Sequence, residues 1–327
     1  MTDGKGRKID YVRISLTDRC NLRCCYCMPR EGDCRMAAGN RMTDEEIIRI
    51  CRILAGLGIR KVKLTGGEPL LRAGLDRLTE RLLAVDGIRQ VTLTTNGILL
   101  KEQLPGLLRA GISGVNISLD AMDRQLYRKI TGRDQYEQAL EGLTAAIKES
   151  GRLNVKVNMV PMRGINESQI LPVASLARNY PMAVRFIEMM PIGLGREYRG
   201  LCETEVREIL ENAFGVLEKT EEVRGNGPAR YWKPPAFLGC VGFISAVSHR
   251  FCGECDRIRL TADGFLKTCL QYEAGTDLGR LLRENRTDRE LEEAVRRAVQ
   301  EKPAGHVFGG GQEEAELEHR HMSCIGG

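Results

Sequence analysis

The stretch Cys20-Asn-Leu-Arg-Cys-Cys-Tyr-Cys27 contains the spacing C-x3-C-x2-C, with thiols at Cys20, Cys24 and Cys27. Thiolates this close together hold iron–sulfur clusters. A [4Fe–4S] cube has four irons, so three cysteine ligands leave one iron open to a bidentate small molecule. A disulfide pair or a zinc knuckle fits less well, because structural zinc sites need four ligands, usually in paired C-x2-C units. The segment therefore predicts a cube with one open iron.

A second group of three cysteines lies near the end of the chain. Cys252 and Cys255 form C-x2-C, and Cys269 follows without an obvious fourth ligand. Taken alone, this triple also fits a degenerate zinc ribbon. Beside a first three-cysteine site, we favour a second [4Fe–4S] cluster with an open iron.

The other six of the twelve cysteines are not assigned as ligands. Cys25 is off the pattern because it should point away from the cluster that its neighbour Cys24 binds. Cys51 falls on the apolar face of a predicted helix, so we expect it in the core. The sequence assigns no role to Cys34, Cys202, Cys240 and Cys324.

Composition narrows the function classes. The 327 residues carry 49 Lys and Arg against 44 Asp and Glu, a net charge of +5, and 42% are hydrophobic. This mild charge does not suggest nucleic-acid binding, and we expect a local basic pocket for an anionic ligand instead. The first twenty residues contain no signal-peptide core, and no run approaches the length of a membrane span. Twelve cysteines without a secretory signal predict a reducing, cytoplasmic location with thiols free for metal.

Short β-type runs alternate with amphipathic helical patterns at steps of about thirty residues. The clearest helix follows the capping box Thr43-Asp-Glu-Glu46. Such alternation implies parallel strands with right-handed crossovers, and six units predict an α/β fold of the open, partial (βα)6 barrel type. The predicted strands are Tyr11–Leu16, Lys61–Leu64, Gln90–Thr94, Gly114–Leu119, Asn154–Val160 and Ala183–Glu188.

The βα rhythm stops after Gly193. We therefore predict a barrel domain over residues 1–200. A smaller α+β region over 201–327 would carry the second cysteine triple. In such barrels the chemistry lies at the carboxyl ends of the strands, and Gly66-Gly67-Glu68-Pro69 follows the second predicted strand.

The first cysteine segment, with Tyr26 just before its third cysteine, resembles the radical S-adenosylmethionine (SAM) superfamily. The segment Phe251–Gly264 around the second triple, together with the terminal Gly326-Gly327, closely resembles the GTP 3′,8-cyclase family, from about Ile9 to the last residue. The resemblance implies two [4Fe–4S] clusters and SAM as cofactors. The implied reaction is conversion of GTP to 3′,8-cyclo-7,8-dihydroguanosine triphosphate, the first step of molybdenum cofactor biosynthesis.

The resemblance also implies roles for individual residues. The six cysteines of the two triples would bind the clusters, and Glu68 would accept a hydrogen bond from the SAM ammonium group. Arg13 and the two terminal glycines, Gly326 and Gly327, would be catalytic. The implied SAM contacts are Tyr26, Gly67, Ser118 and Met190. The implied GTP contacts are Arg13, Lys63, Thr94, Lys156, Arg257 and Arg259. The family often has arginine at the position of Lys63, so the charge is kept and the bidentate geometry is lost.

The implied partners are GTP, SAM, an electron donor and a downstream cyclic pyranopterin monophosphate synthase, with neither nucleic acid nor membrane, in a monomer or homodimer. Two other readings remain at this point. One is a radical SAM enzyme with an auxiliary cluster that modifies a peptide, although such proteins usually have more C-terminal cysteines and lack a Gly-Gly end. The other is a non-catalytic iron–sulfur or zinc sensor.

Overall fold

The computed structural model describes residues 1–29, 40–220, 225, 227–308 and 317–326. Within these residues the strands form one twelve-stranded sheet, in the order β12-β11-β10-β1-β2-β3-β4-β5-β6-β9-β8-β7. The strands are β1 Tyr11–Ser15, β2 Lys61–Thr65, β3 Gln90–Thr95, β4 Gly114–Ser118, β5 Asn154–Met159, β6 Ala183–Ile187, β7 Glu218–Lys219, β8 Arg230–Lys233, β9 Cys240–Ile244, β10 Arg257–Leu260, β11 Phe265–Lys267 and β12 Thr276–Asp277.

Helices connect the strands and cover the outer face of the sheet. They are α1 Asp44–Gly56, α2 Leu75–Leu83, α3 Leu100–Arg109, α4 Arg124–Thr131, α5 Tyr136–Lys148, α6 Ile170–Asn179, α7 Glu203–Phe214, α8 Leu278–Arg283, α9 Asp288–Gln300 and α10 Met322–Ile325. None of these described helices is long and apolar enough to cross a membrane.

The six predicted strands are β1 to β6, all parallel and adjacent in chain order. This confirms the predicted α/β fold with its parallel barrel sheet. The sequence did not predict that two later strands would continue the parallel sheet. β10 pairs with β1, and β9 pairs with β6, both in parallel. The sheet thus runs across residue 200, and the division into 1–200 and 201–327 remains a prediction.

Apolar and polar side chains alternate along the strands, which gives the sheet an apolar outer face and a polar inner face. In β1, Val12 and Ile14 are fully buried in the hydrophobic core. Arg13 lies between them and lines the interior cavity. β2 repeats the pattern, with Lys63 between buried Val62 and Leu64. Because side chains alternate between faces, the apolar residues pack against the helices and the charged ones point into the barrel.

Local signals explain where the helices begin. The capping box of α1 is formed as predicted: the Glu46 amide donates to Thr43 Oγ1 at 3.2 Å, and the Thr43 amide donates to the Glu46 carboxylate at 2.7 Å. Cys51 is buried in the core, which confirms its predicted place. α2 begins at Leu75, immediately after Gly74, which takes a left-handed φ of 72°.

Candidate active site

A cavity of about 350 Å³ lies inside the barrel and reaches the loops at the carboxyl ends of the strands. It brings together most of the residues that the sequence singled out, from both halves of the chain. The predicted site residues that line it are Arg13, Cys20, Cys24, Tyr26, Cys27, Lys63, Gly67, Thr94, Ser118, Lys156, Met190, Cys252, Cys255, Arg257, Arg259 and Cys269.

The loop that carries the first cysteine triple is fastened to the turn after β2. The Gly67 amide donates to the Thr17 carbonyl at 2.7 Å, and the Glu68 amide donates to the Arg19 carbonyl at 2.7 Å. A Cβ on Gly67 would lie only 2.1 Å from the Arg19 carbonyl oxygen. The loop that carries the first triple therefore requires glycine at position 67, because the backbone of that loop occupies the space that a Gly67 side chain would need.

Glu68 is buried and joins two strand ends. Its carboxylate accepts from Thr95 Oγ1 at 2.7 Å, from the Asn96 amide at 2.8 Å and from the Leu70 amide at 3.1 Å. Burial raises the pKa of Glu68 to about 7. A carboxylate has about four lone-pair positions, so a contact with an ammonium group would use the acceptor capacity that these three donors leave.

Tyr26 and Asp120 form a second polar contact beside the first triple. The Tyr26 hydroxyl donates to Asp120 Oδ2 at 2.7 Å, and the Val160 amide donates to Asp120 Oδ1 at 2.8 Å. Burial raises the pKa of Asp120 to about 6. In the sequence, Asp120 directly follows the predicted strand Gly114–Leu119. The pairing connects residues far apart along the chain, so only the fold reveals it.

The second triple begins in a short 3₁₀ turn, Cys252–Glu254, immediately before β10. The backbone amide of His306 donates to Cys252 Sγ at 3.5 Å. Burial would raise the pKa of Cys255, but the charges of Lys302 and Arg257 outweigh it and hold that pKa below its usual value. Positive surroundings therefore favour the thiolate form of Cys255.

The first triple has a different environment. Burial raises the pKa of Cys20 to about 11 and the pKa of Cys24 well above its usual value. A buried thiol of this kind becomes a thiolate when a metal takes it, because the metal charge replaces the lost hydration. The Leu22 amide approaches Cys20 Sγ at 3.4 Å, the kind of N–H···S contact that tunes iron–sulfur thiolates.

The donor sets fit iron–sulfur cubes. In the described part of the chain, no three His, Cys, Asp or Glu donors converge closely enough to hold one metal ion. The thiolates of a cube need no such convergence, because each binds a different iron. Three thiols at each of two places on one cavity are the donor set that two such cubes require.

Three cationic side chains on neighbouring strands form a cation row on the inner face of the sheet. They are Arg259, Arg13 and Lys63. Arg13 of β1 lies in register with Arg259 of β10 on one side and with Lys63 of β2 on the other. Among the described residues, neither Lys63 nor Arg259 forms an ion pair within 4 Å. Burial, with the charges of Arg13, Arg185 and Lys156, lowers the pKa of Lys63. Burial, with Arg13 and Arg257, lowers the pKa of Arg259 to about 9. So many like charges inside a cavity suit a polyanionic ligand.

Arg185 belongs to this group of cations, and the sequence interpretation missed it. It is buried on β6, and its Nε and Nη2 donate to Asn158 Oδ1 at 2.9 and 2.6 Å. The sequence contains a signal for this role, because Arg185 is the only charged residue in the run Ala-Val-Arg-Phe-Ile at Ala183–Ile187. A lone arginine on an otherwise buried strand indicates an inward-facing functional position.

Gly326 lies beside the cation row. Arg259 Nη1 donates to the Gly326 carbonyl at 2.6 Å. Gly326 has a φ of 79°, and a Cβ there would lie 3.0 Å from the Cβ of Ser15. The predicted second glycine of this pair, Gly327, lies outside the described residues. The structure thus brings one terminal glycine into contact with Arg259, which lines the cavity, at a position where a side chain would be crowded.

The segment that leads to Gly326 is fixed by a buried ion pair. The side chains of Lys267 and Glu318 contact each other and are both 0% exposed. Arg320 Nη2 also donates to the Glu318 carboxylate, at 3.0 Å. The Glu318 amide donates to the Gln271 carbonyl at 2.7 Å. The Lys267–Glu318 ion pair could not be predicted from the sequence, because two charges 51 positions apart form no recognisable pattern.

Comparison with known proteins agrees with this geometry. Residues 14–177 match the family described as Radical SAM superfamily, and residues 182–308 match Molybdenum Cofactor Synthesis C. A GTP 3′,8-cyclase from Clostridium perfringens (strain SM101 / Type A) is 40% identical over 327 residues, which are 100% of both chains. A GTP 3′,8-cyclase from Geobacter sulfurreducens is 41% identical over 331 residues, 100% of this chain and 99% of the relative.

Solved structures show the same fold. Streptococcus suis SuiB bound to S-adenosylmethionine aligns with a TM-score of 0.60 over 88% of this chain and 68% of that chain, at 15% identity. SuiB bound to its precursor peptide SuiA gives the same TM-score over 88% and 67%, at 16% identity. At these identities the likeness concerns the fold alone.

Proposed function

This chain belongs to the GTP 3′,8-cyclase family of the radical SAM superfamily, and we propose that its barrel cavity holds GTP and SAM between two [4Fe–4S] clusters. Its reaction is the conversion of GTP to (8S)-3′,8-cyclo-7,8-dihydroguanosine 5′-triphosphate, the first step of molybdenum cofactor biosynthesis. The observation that carries the proposal is that both cysteine triples and the cation row line the same cavity.

The first site would be held by Cys20, Cys24 and Cys27. When bound there, the cluster and SAM supply a 5′-deoxyadenosyl radical that takes hydrogen from the ribose C3′ of GTP. The protein's part is to position SAM and exclude water. We assign SAM contacts to residues that line the cavity at the carboxyl ends of the strands. These residues are Tyr26, Gly67, Ser118 and Met190.

The triphosphate would lie along the cation row. Guanidinium groups offer planar donor pairs that match phosphate oxygens, and a lysine adds a compact charge. Lys63, Lys156 and Arg185 are buried, and Arg13, Arg257 and Arg259 are partly buried. Inside the barrel their attraction for an anion is stronger than in water. We assign GTP contacts to Arg13, Lys63, Thr94, Lys156, Arg257 and Arg259.

The second site would be held by Cys252, Cys255 and Cys269, and its open iron would take an edge of the guanine base. Gly326, bound to Arg259, would place backbone next to the reacting ribose, with Gly327 beyond it. Arg13 would have a catalytic role because it lies between Arg259 and Lys63 in the register of the sheet. The placement of Cys252, Cys255, Cys269 and Arg13 in one cavity, and the bond from Arg259 to Gly326, support these roles.

The remaining partners belong to the same proposal. An external electron donor would reduce the clusters, and a cyclic pyranopterin monophosphate synthase would consume the product. We propose a reducing cytoplasm as the location, because all eleven cysteines that the structure describes are free thiols. A monomer or a homodimer is compatible with an active site built within one chain.

The test is anaerobic reconstitution of the clusters followed by incubation with SAM, GTP and a reductant. We expect 5′-deoxyadenosine together with a cyclised guanosine triphosphate, both dependent on GTP. Replacement of GTP by ATP is the matched control and should give neither product above background. Deoxyadenosine formed equally with and without GTP, with no cyclised nucleotide, would reject the proposed substrate.

A further inference from the structure

The buried imidazole of His306 has no well-formed hydrogen bond within the part of the chain that the structure describes. His306 is 7% exposed and lines the cavity. Neither of its ring nitrogens makes a hydrogen bond of normal geometry among the described residues. The polar groups that act on the His306 ring are the Ala246 carbonyl and the Arg250 guanidinium. Because folded proteins pair nearly all buried polar groups, an unpaired one at a cavity wall points to a ligand.

The backbone around His306 is firmly held, so the position of the ring is not accidental. Arg7 donates to the Cys252 carbonyl at 2.8 Å and to the Pro303 and Ala304 carbonyls at 2.7 and 3.0 Å. The Val307 amide donates to Gln271 Oε1 at 2.6 Å. These bonds tie the loop before and after His306 to the second cysteine triple.

The ring is also supported on one side. The Phe308 ring lies 4.3 Å from the His306 ring, centroid to centroid, with an interplanar angle of 32°. Phe308 and Phe251 both line the same cavity as His306. This end of the cavity therefore combines aromatic surface with an imidazole that can donate from one nitrogen and accept at the other.

This combination suits a heteroaromatic base better than a phosphate. A triphosphate prefers the cation row, where Arg13, Lys63 and Arg259 lie side by side on neighbouring strands. A purine edge presents donors and acceptors next to a flat apolar face. We propose that His306 hydrogen-bonds to the guanine base of the substrate and helps to select guanine over other purines; this inference rests on the proposed function. Phe308 holds the imidazole ring in place.

The experiment measures nucleotide binding to the reconstituted protein by anaerobic equilibrium dialysis. The ligands are GTP, ATP and inorganic tripolyphosphate, which carries the charge without the base. His306→Phe keeps an aromatic ring and removes both nitrogens. We expect its GTP affinity to fall about tenfold, as for one lost hydrogen bond in a buried site. Its affinities for ATP and tripolyphosphate should stay within about twofold of the parent.

Two further variants sharpen the result. His306→Gln keeps a donor and an acceptor at nearly the same reach, and it should recover part of the GTP affinity. His319→Phe makes the same substitution at an exposed histidine outside the cavity lining, and it should bind every ligand as the parent does. Iron content and the EPR spectrum of each variant show whether both clusters are present.

The outcomes separate this inference from the proposed function. A parent protein that does not bind GTP would reject the proposed function itself. A parent that binds GTP, with His306→Phe binding it equally well, would overturn the role of His306 alone. Equal losses for GTP and tripolyphosphate, or loss of about half of the iron in both His306→Phe and His306→Gln, would also overturn it. Those results would make His306 a phosphate contact or a support for the second cluster.

Discussion

Arg259 and Lys267 face each other across the antiparallel pair β10–β11, and each binds a different part of the same C-terminal segment. Lys267 contacts the Glu318 carboxylate, and Arg259 donates to the Gly326 carbonyl at 2.6 Å. One register pair thus fixes the segment at both ends. Because Arg259 also lines the cavity, the structure links the anchoring of the segment to the electrostatics of the site.

The Lys267–Glu318 ion pair should control how firmly the C-terminal segment 317–326 is held. In Glu318→Gln, Lys267 keeps a buried charge without its carboxylate, a loss of about 3 kcal/mol for a broken buried pair. We expect amide exchange in the described segment 317–326 to become faster by about a hundredfold, together with a lower yield of cyclised product. Hydrogen–deuterium exchange read by mass spectrometry is the measurement. Glu301→Gln, at an exposed position, is the control, and unchanged exchange in Glu318→Gln would show that the ion pair does not hold the segment.

The two cysteine triples should be separable by iron counting. The reconstituted parent should contain about eight irons, and Cys24→Ala and Cys255→Ala about four each, following one cube per triple. Cys24→Ala should abolish SAM cleavage, whereas Cys255→Ala should mainly weaken GTP binding. Cys25→Ala, next to Cys24 but outside the cavity lining, should keep about eight irons. A parent with only four irons would contradict the two-cluster assignment.

The arginines of β10 should discriminate between the two ligands. Arg257→Ala and Arg259→Ala should weaken GTP binding by about 1.5–3 kcal/mol, the loss expected for a charge-assisted hydrogen bond. SAM binding should hardly change, and neither should GTP binding in the exposed control Arg178→Ala. Isothermal titration under anaerobic conditions measures both affinities. Equal losses for GTP and SAM would mean that these arginines maintain the fold and do not contact the substrate.

Asp120 should make stability depend on pH. Its pKa rises from the ordinary 3.8 to about 6 because it is buried, so the folded state favours the protonated acid. The contribution of Asp120 is therefore fully present below pH 3.8 and is lost as the pH rises through 6. Between pH 5 and pH 7 the parent should lose about 1.4 kcal/mol of unfolding free energy relative to Asp120→Asn. Anaerobic urea unfolding of both proteins at the two pH values tests this, and parallel curves would argue against it.

The terminal glycine should matter for turnover more than for binding. Gly326→Ala introduces a Cβ at a φ of 79° and only 3.0 Å from the Cβ of Ser15, so the backbone must shift. We expect both clusters and GTP binding to be retained and cyclised product to fall at least tenfold, because small misplacements near the reacting atoms are costly. Deletion of Gly326 and Gly327 should do the same.

The control for this substitution is Gly6→Ala. Gly6 has a φ of 81° and open space around its Cβ position, so the variant carries the backbone strain without the collision. It should give the parent's yield. Parent-level yield from Gly326→Ala as well would reject a catalytic role for the tail.

Local patterns were enough to predict the strands of the barrel, and the two groups of three cysteines that they singled out line one cavity. Short β-type runs located β1 to β6 to within a residue, and cysteine spacing singled out both triples. The sequence could not show that β9 joins β6 in parallel, because the pairing depends on contacts distant in sequence. α4 was missed since its short, mostly polar sequence gives a weak helical signal. Arg185 and the Lys267–Glu318 pair were missed because their meaning comes from what surrounds them in space.

The parallel pairing of β1 with β10 has a consequence for biogenesis. Tyr11 and Arg257 are register partners on adjacent strands of the sheet, yet they lie some 250 residues apart along the chain that the ribosome makes. Until β10 is synthesised, one side of β1 has unpaired backbone groups, and such an open edge can recruit another nascent chain. The loop that directly follows β1 carries the first three thiols. We therefore expect metal loading to follow release from the ribosome, and a lower expression level, with fewer nascent chains present at once, to favour correctly assembled protein over aggregates.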